Sequence, residues 1–149
     1  MAKLTILEYP DPRLRTKAAP VERVGAELGR VIDDMFETMH EYQGVGLAAP
    51  QVHESLRVFV AGFAPDEDEE ESPRGVPLMA LINPEITPIG TDLVDDWEGC
   101  LSIPDIRGRV PRSRQISVKA YDRRGTRIDG KAGGFTARVI QHETDHLNG

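Results

Sequence analysis

Two histidines and a glutamate near the end of the sequence have the spacing of a metal site. They lie in the segment HETDH at 142–146. Residues four apart on an α-helix lie one above the other, so His142 and His146 can reach one metal ion. Glu143 would then lie beside the water that such an ion activates. The segment predicts a metal-dependent hydrolase; the alternative is a pair of surface histidines on a C-terminal helix.

A catalytic site of this kind needs a third protein ligand and an open coordination position for water. Only residues 147–149 follow the second histidine, so we expect the third ligand upstream. Cys100, the sole cysteine, is the best soft donor there. His40, His53 or a carboxylate are the other candidates, although we expect both histidines to be solvated surface residues.

Cys100 has two further interpretations besides that of a metal ligand. A lone cysteine is commonly a buried and inert thiol. It can also be a nucleophile that His142 or His146 activates, as in thiol hydrolases. The residues alone leave these three interpretations open.

Hydrophobic spacing indicates the two helices that position these residues. From about Gly25 to Tyr42, apolar residues recur at intervals of three and four, which predicts an amphipathic helix. These residues are Leu28, Val31, Ile32, Met35 and Met39. A second amphipathic helix is expected from Gly134 onward, and it carries both histidines.

Short apolar segments between the helices predict a set of strands. The strands are expected at 56–60, 78–82, near 86–94, at 115–121 and at 126–128, with a hairpin turn at 122–125 and a loop at 43–46. The order helix, strands, helix predicts an α+β fold. We expect largely antiparallel β-sheets packed around a C-terminal metal-binding helix, with one N-terminal amphipathic helix.

Composition limits the class of protein. A chain of 149 residues favours a single catalytic domain over 1–149. No apolar stretch approaches the roughly 20 residues of a membrane span, and no signal-peptide core is recognisable near the N-terminus. A single cysteine allows no intrachain disulfide. These features predict a cytoplasmic protein with no membrane span and no disulfide partner.

The distribution of charge suggests a second class of function. The net charge of −7 comes largely from the acidic run at 66–71, without which 19 acidic residues face 18 basic ones. We expect that run to form a solvated loop without a chemical role. From Arg107 to Arg138, ten basic residues face only Asp122 and Asp129. An RNA- or ribosome-binding protein with a structural metal site is therefore the alternative to a hydrolase.

Four segments together resemble the peptide deformylase family. They are ILEYPDPRLR at 6–15, GVGLAAPQ at 44–51, EGCLS at 98–102 and QHETDHLNG at 141–149. The last three resemble the three sequence blocks of that family and occur in the same order. The resemblance therefore extends from near Ile6 to the last residue.

The resemblance implies a metal ion and a reaction. Cys100, His142 and His146 would bind one divalent ion, with Fe(II) expected and Zn, Ni or Co as substitutes. A thiolate donor favours such softer transition metals. Glu143 would take a proton from the attacking water and pass it to the departing amine. The implied reaction removes the formyl group from the N-terminal formylmethionine of nascent polypeptides.

The resemblance also implies groups that contact the reacting formyl group and the peptide. The side-chain amide of Gln51 and the backbone N–H of Leu101 would stabilise negative charge on the formyl oxygen. Gly44 and Gly46 would allow the loop backbone to approach the substrate closely.

An apolar pocket for the methionine side chain is implied by the same resemblance. Val45, Phe135 and Val139 would line it. Trp97 precedes the cysteine block and is expected either to cover the site or to be a partly buried structural residue. Asp145 would lie next to the ligand residues without binding the ion and would pair with an arginine that the sequence does not identify.

Two features depart from the family pattern. Family members usually continue past the glycine that is Gly149 here, so a C-terminal tail is expected to be absent. In bacterial relatives that tail assists ribosome docking, which puts the ribosome contact in doubt. The acidic run at 66–71 resembles an insertion.

Overall fold

A computed structural model describes residues 4–63 and 76–149 of the chain. The acidic run at 66–71 lies outside the described residues. Two helices, α1 at Ala26–Glu41 and α2 at Gly134–Asn148, enclose a β-sheet between them. Short 3₁₀ helices lie at Pro12–Arg15 and Ala49–Val52.

The first helix buries one side against the sheet. Leu28, Ile32, Met35 and Met39 of α1 are buried, as the spacing of apolar residues over 25–42 predicts. The helix ends where Gln43 adopts a φ of 56°, in the left-handed region that stops helical propagation. The chain then turns directly towards the sheet.

The strands form one five-stranded sheet and one separate hairpin. They are β1 Gly46–Ala48, β2 Val58–Phe63, β3 Val76–Pro88, β4 Leu93–Cys100, β5 Ile103–Ser113, β6 Gln115–Tyr121 and β7 Arg127–Gly133. The sheet has the order β1-β2-β3-β6-β7, and β4 pairs with β5. Every one of these pairings is antiparallel. The predicted α+β class with antiparallel sheets and a C-terminal helix is confirmed.

The structure corrects the expectation of a strand near 86–94. Residues 86–88 complete β3, and residues 93–94 begin β4. Between them the chain turns, with Gly90 at a φ of 73°. The sequence predicted one strand here because apolar residues occur close together on both sides of a short turn. The loop expected at 43–46 is also shorter than predicted, since Gly46 already belongs to β1.

Both faces of β2 are buried, which explains why this strand has a continuous apolar sequence. Val58 and Val60 of β2 pack with α1 on one face. Phe59 and Ala61 of the same strand pack with α2 on the other face. Alternate residues of a strand point to opposite faces, so β2 contributes to both layers of the core.

Helix α2 is held at its C-terminal end by two hydrogen bonds to the carbonyl of Leu147. The guanidinium of Arg57 donates to this oxygen at 3.0 Å, and the backbone N–H of Ala18 donates at 2.9 Å. Such donors satisfy carbonyl groups that have no partner within the helix. No helix within residues 4–63 and 76–149 has the length and apolar character that crossing a bilayer requires.

Candidate metal centre

Three side chains from two elements converge at the junction of the hairpin and α2. Cys100 is the last residue of β4, and His142 and His146 lie one turn apart on α2. Their ligand atoms all lie within 4.8 Å of one another. The Cys100 sulfur lies 3.3 Å from Nε2 of His146. In the described part of the chain, this is the one cluster of potential ligands that could hold an ion.

The donor set of one sulfur and two imidazoles fits a divalent transition metal. Burial raises the pKa of Cys100, but hydrogen bonds from His142 and His146 outweigh burial and lower this pKa to about 5. The sulfur is therefore a thiolate at neutral pH, which is the form that binds metals. Three protein ligands leave a fourth tetrahedral position for water or substrate, as in catalytic sites.

A carboxylate behind the histidines fixes the orientation of the first one. Oε1 of Glu98 lies 3.0 Å from Nδ1 of His142, which leaves Nε2 of His142 for an ion. Burial lowers the pKa of His142, whereas hydrogen bonds to Cys100 and Glu98 raise it to about 10. An ion that binds here must therefore displace a proton from the imidazole.

Glu98 is itself held by two arginines. Arg112 donates two hydrogen bonds of 3.0 Å to its carboxylate, and Arg138 donates one of 2.6 Å. Burial raises the pKa of Glu98, but the hydrogen bonds from His142 and Arg112 lower it to about 2. Glu98 is consequently a carboxylate across the physiological range.

Arg112 also supplies the partner that the sequence left unidentified for Asp145. Its guanidinium forms an ion pair with the Asp145 carboxylate on α2. Sequence reasoning missed the roles of Glu98, Arg112 and Arg138. One signal was available for Glu98, because residues two apart on a strand share a face and Glu98 precedes Cys100 by two.

Glu143 lies beside the two histidines with its carboxylate buried. The residue is 3% exposed, and its Oε1 has no hydrogen-bond partner among the described residues. Burial raises the pKa of Glu143, although the nearby His142 and His146 oppose this effect. A side chain at Gly46 would overlap the carboxylate, so glycine there makes room for Glu143. The result is a carboxylate with one oxygen, Oε1, free of hydrogen bonds from the described residues and able to accept a proton.

Hydrogen bonds orient the side chain of Gln51 beside Cys100. Its Oε1 accepts a hydrogen bond of 2.9 Å from the backbone N–H of Ala48, which directs Nε2 away from that strand. Nε2 then donates to Ser102 at 2.9 Å and lies 3.7 Å from the Cys100 sulfur. The amide N–H groups of Gln51 therefore point towards the cluster of Cys100, His142 and His146.

The cluster opens onto a cavity of about 700 Å³. The residues expected to bind substrate all line this cavity: Gly44, Val45, Gly46, Gln51, Trp97, Leu101, Phe135 and Val139. Trp97 is 51% exposed, and the Arg109 guanidinium lies 5.8 Å from the centre of its indole ring. Trp97 therefore forms part of the rim and leaves the cavity open to solvent.

Two histidines that were alternative ligands lie elsewhere. His40 is exposed on α1, and His53 is exposed with its Nδ1 2.8 Å from the Arg13 guanidinium. The expectation that both are surface residues is confirmed. The third donor near His142 and His146 is Cys100.

Geometry alone is compatible with two chemistries. A thiolate beside an imidazole is the arrangement of a cysteine nucleophile, and the same three side chains can hold a metal ion. Comparison with known proteins separates these alternatives. The family model of polypeptide deformylase matches residues 3–149.

The chain belongs to the peptide deformylase family.

Each alignment with a relative extends over most of that relative's length. The peptide deformylase of Chromohalobacter salexigens is 52% identical over all of this chain and 83% of that relative. The peptide deformylase of Pseudomonas aeruginosa is 48% identical over all of this chain and 84% of that relative. This family consists of metal-dependent hydrolases that remove the formyl group from nascent peptides, so the comparisons favour a metal site over a thiol nucleophile.

Solved structures agree with this assignment. The peptide deformylase of Ehrlichia chaffeensis in complex with actinonin is 40% identical, with a TM-score of 0.91 over 99% of this chain and 85% of that one. The peptide deformylase of Thermotoga maritima is 40% identical, with a TM-score of 0.87 over 99% of this chain and 93% of that one. The comparisons give no support to an RNA-binding protein with a structural metal site.

Proposed function

We propose that Cys100, His142 and His146 hold one divalent ion, at which this chain removes the formyl group from the N-terminal formylmethionine of nascent polypeptides. The observation that carries this proposal is the convergence of the three ligand atoms within 4.8 Å beside the buried carboxylate of Glu143. Family membership supplies the class of reaction.

Fe(II) is the ion that we propose for this site, with Zn, Ni or Co as substitutes. One thiolate and two imidazoles form a mixed soft and intermediate donor set that suits all four metals. When bound, such an ion acidifies water and polarises a carbonyl oxygen.

Glu143 moves the proton in the proposed mechanism. Its Oε1 accepts a proton from the attacking water, whose oxygen forms a bond to the formyl carbon. The carbon–nitrogen bond then breaks, and Glu143 delivers the proton to the departing amine. The products are formate and a free N-terminal methionine. Burial raises the pKa of Glu143 above its ordinary value, which favours proton uptake by a group that must both accept and donate.

Gln51 and Leu101 stabilise the charge that develops on the formyl oxygen. Nε2 of Gln51 points towards Cys100 and can turn a donor towards this oxygen. The backbone N–H of Leu101, directly after the proposed metal ligand, is the second donor. Donors that are fixed before the reaction need no reorganisation when the charge appears.

The cavity accommodates the methionine side chain and the start of the peptide. Val45, Phe135 and Val139 form apolar walls for the side chain. Gly44 and Gly46 allow the peptide backbone to approach β1 closely, because neither places a side chain between the two chains. At the rim, Trp97 offers an exposed aromatic surface to the residues that follow methionine.

The substrate is a nascent chain, so a ribosome contact and a cytoplasmic location form part of the proposal. The ten basic residues between Arg107 and Arg138 support a contact with an anionic surface. Two of the ten, Arg112 and Arg138, are occupied by Glu98 and are not available for it. We propose that residues 1–149 act as one catalytic domain, since both ligand-bearing elements and the cavity lie within it.

Hydrolysis of an N-formylmethionyl peptide tests the proposed function. The chain is loaded anaerobically with Fe(II) or with Ni(II), and formate is measured with and without a chelator. An N-acetylmethionyl peptide of the same sequence is the matched control. We expect formate release that the chelator abolishes, and no hydrolysis of the acetyl peptide. Formate release that persists after complete metal removal would contradict the proposal.

A further inference from the structure

Arg138 is a buried cation on the wall of the cavity. It lies in the first half of α2, and only 5% of its surface is exposed. A buried arginine is destabilising unless its donors are satisfied. Nη1 donates to Oε2 of Glu98 at 2.6 Å and to the carbonyl of Val110 at 2.8 Å, and Nη2 donates to the carbonyl of Val94 at 2.5 Å.

These three acceptors belong to the hairpin that carries Cys100. Val94 and Glu98 lie on β4, and Val110 lies on β5. One guanidinium thus contacts both strands of the hairpin from α2. The hairpin supplies the sulfur ligand and α2 supplies both imidazoles, so Arg138 joins the two ligand-bearing elements.

Arg138 and His142 hold the same carboxylate from one helix. They are four residues apart, so they lie on the same face of α2. Oε2 of Glu98 accepts from Arg138, and Oε1 lies 3.0 Å from Nδ1 of His142. Arg138 from α2 and Arg112 from the hairpin together fix the rotation of the Glu98 carboxylate, and the imidazole ring follows it.

We propose that Arg138 is a positioning residue, which orients His142 through Glu98 and aligns the β4–β5 hairpin with α2 for metal binding. This inference rests on the proposed ligand set of Cys100, His142 and His146. Arg138 reaches the hairpin from α2, whereas Arg112 lies in the hairpin itself. Arg112 pairs with Glu98 there and forms an ion pair with Asp145 of α2.

The variant Arg138→Met tests this role, because methionine keeps an unbranched apolar stem and removes all three hydrogen bonds. Arg112 still pairs with Glu98 in this variant, so the carboxylate is not left without a cation. We expect the Zn(II) dissociation constant to rise about tenfold, the lower end of the effect of losing an outer partner of a metal ligand. We also expect kcat on a formylmethionyl peptide to fall with little change in KM.

A double-mutant cycle separates action through Glu98 from a purely structural role. Zn(II) affinity is measured by competition with a chromophoric chelator in wild type, Arg138→Met, Glu98→Gln and the double variant. We expect Arg138→Met to weaken binding about tenfold in wild type, and by a smaller factor when Glu98 is already glutamine, because the hydrogen bonds to the Val94 and Val110 carbonyls are then the main ones lost. Equal losses in both backgrounds would overturn the proposal. Arg123→Met, which breaks a surface ion pair with Asp33, is the matched control and should leave the affinity unchanged.

Arg138→Lys keeps the proposal testable if the methionine variant does not fold. A single ammonium group cannot reproduce the fork geometry that serves three acceptors, so we expect weaker Zn(II) binding than in wild type. Wild-type affinity in a folded Arg138→Lys protein would overturn the inference. Retention of Zn(II) by Cys100→Ala with wild-type affinity would instead contradict the proposed ligand set, which distinguishes the two failures.

Discussion

At the scale of single residues, the candidate site depends on charged groups that are held away from water. Cys100 and His142 stabilise each other in their charged forms, and Glu98 is charged because His142 and Arg112 donate hydrogen bonds to it. Glu143 differs, because its buried Oε1 has no hydrogen-bond partner among the described residues and burial raises its pKa. The two carboxylates therefore have different chemistry although both lie beside His142.

The depressed pKa of Cys100 predicts the pH dependence of its reaction with iodoacetamide. In the metal-free protein, the thiolate forms as the pH rises through about 5, whereas a thiol in an unfolded chain ionises near its ordinary value of 9.0. We expect the alkylation rate of the native protein to reach half its plateau near pH 5. The urea-unfolded chain, in which the same single cysteine reacts, is the control. A midpoint above pH 8 in the native protein would show that the histidines do not stabilise the thiolate.

Because Gly46 leaves space for Glu143, we predict that a methyl side chain at position 46 reduces turnover. In Gly46→Ala the new Cβ would overlap the Glu143 carboxylate and displace it. A displacement of about 1 Å can reduce turnover about 100-fold, and we expect a loss of that size. Gly108→Ala on β5 is the control, because a Cβ there meets no atom within 4 Å. Wild-type kcat in a folded Gly46→Ala protein would show that the position of Glu143 is not critical.

The proposed ligand residues could be identified from the sequence, whereas the residues that support them could not. The segment 142–146 predicts two ligands by helical spacing alone, and the resemblance identifies Cys100 as the third. The roles of Arg112 and Arg138 depend on which strands pair and on how α2 crosses them. Nothing in their local sequence distinguishes them from the eight other basic residues of the same stretch.

At the scale of elements, the β4–β5 hairpin was the least predictable part of the fold. In β4, exposed and half-buried residues alternate and none is fully buried, so the strand lacks the apolar period that identifies a buried strand. Its exposed positions include Leu93 and Trp97, which interrupt a clear inside-outside pattern. The helices and β2 have a buried apolar face, and their sequences therefore predicted them better.

Helix α1 packs on the face of the sheet opposite to α2. We therefore predict that a substitution in the core between α1 and the sheet lowers the stability of the protein without altering the site. Met35 is fully buried in the cluster between α1 and the sheet. We expect Met35→Ala to reduce the free energy of unfolding by about 2–5 kcal/mol through the cavity it leaves. Chemical denaturation measures this loss. The folded variant should retain Zn(II) affinity within about twofold, since the sites are packed on different faces; loss of metal binding would show that α1 positions the ligands.

At the scale of the whole molecule, the proposed ion joins two elements that are distant in sequence. Cys100 ends β4, and His146 lies near the end of α2, so a bound ion would connect the hairpin to the last helix. An ion that binds only the folded chain stabilises it in proportion to the logarithm of its concentration over its dissociation constant.

Metal removal is therefore expected to lower the melting temperature. At a free ion concentration of 100 times the dissociation constant, the stabilisation is about 2.7 kcal/mol, or roughly 5–10 °C for a chain of this size. Differential scanning calorimetry with and without a chelator measures the shift. Cys100→Ala is the control, because its melting temperature should not respond to the chelator. A response equal to that of wild type would exclude Cys100 from the ligand set.

Cys100 is proposed to hold the ion, whereas Glu143 is proposed to move the proton. Both roles are tested by measuring bound metal and formate release in parallel in wild type, Glu143→Gln and Cys100→Ala. We predict that Glu143→Gln retains one ion per chain and loses turnover by about 100-fold or more, the contribution typical of a general base. Cys100→Ala should lose both the ion and the activity. Full turnover in Glu143→Gln would contradict the proposed role of Glu143, and one bound ion per chain in Cys100→Ala would contradict that of Cys100.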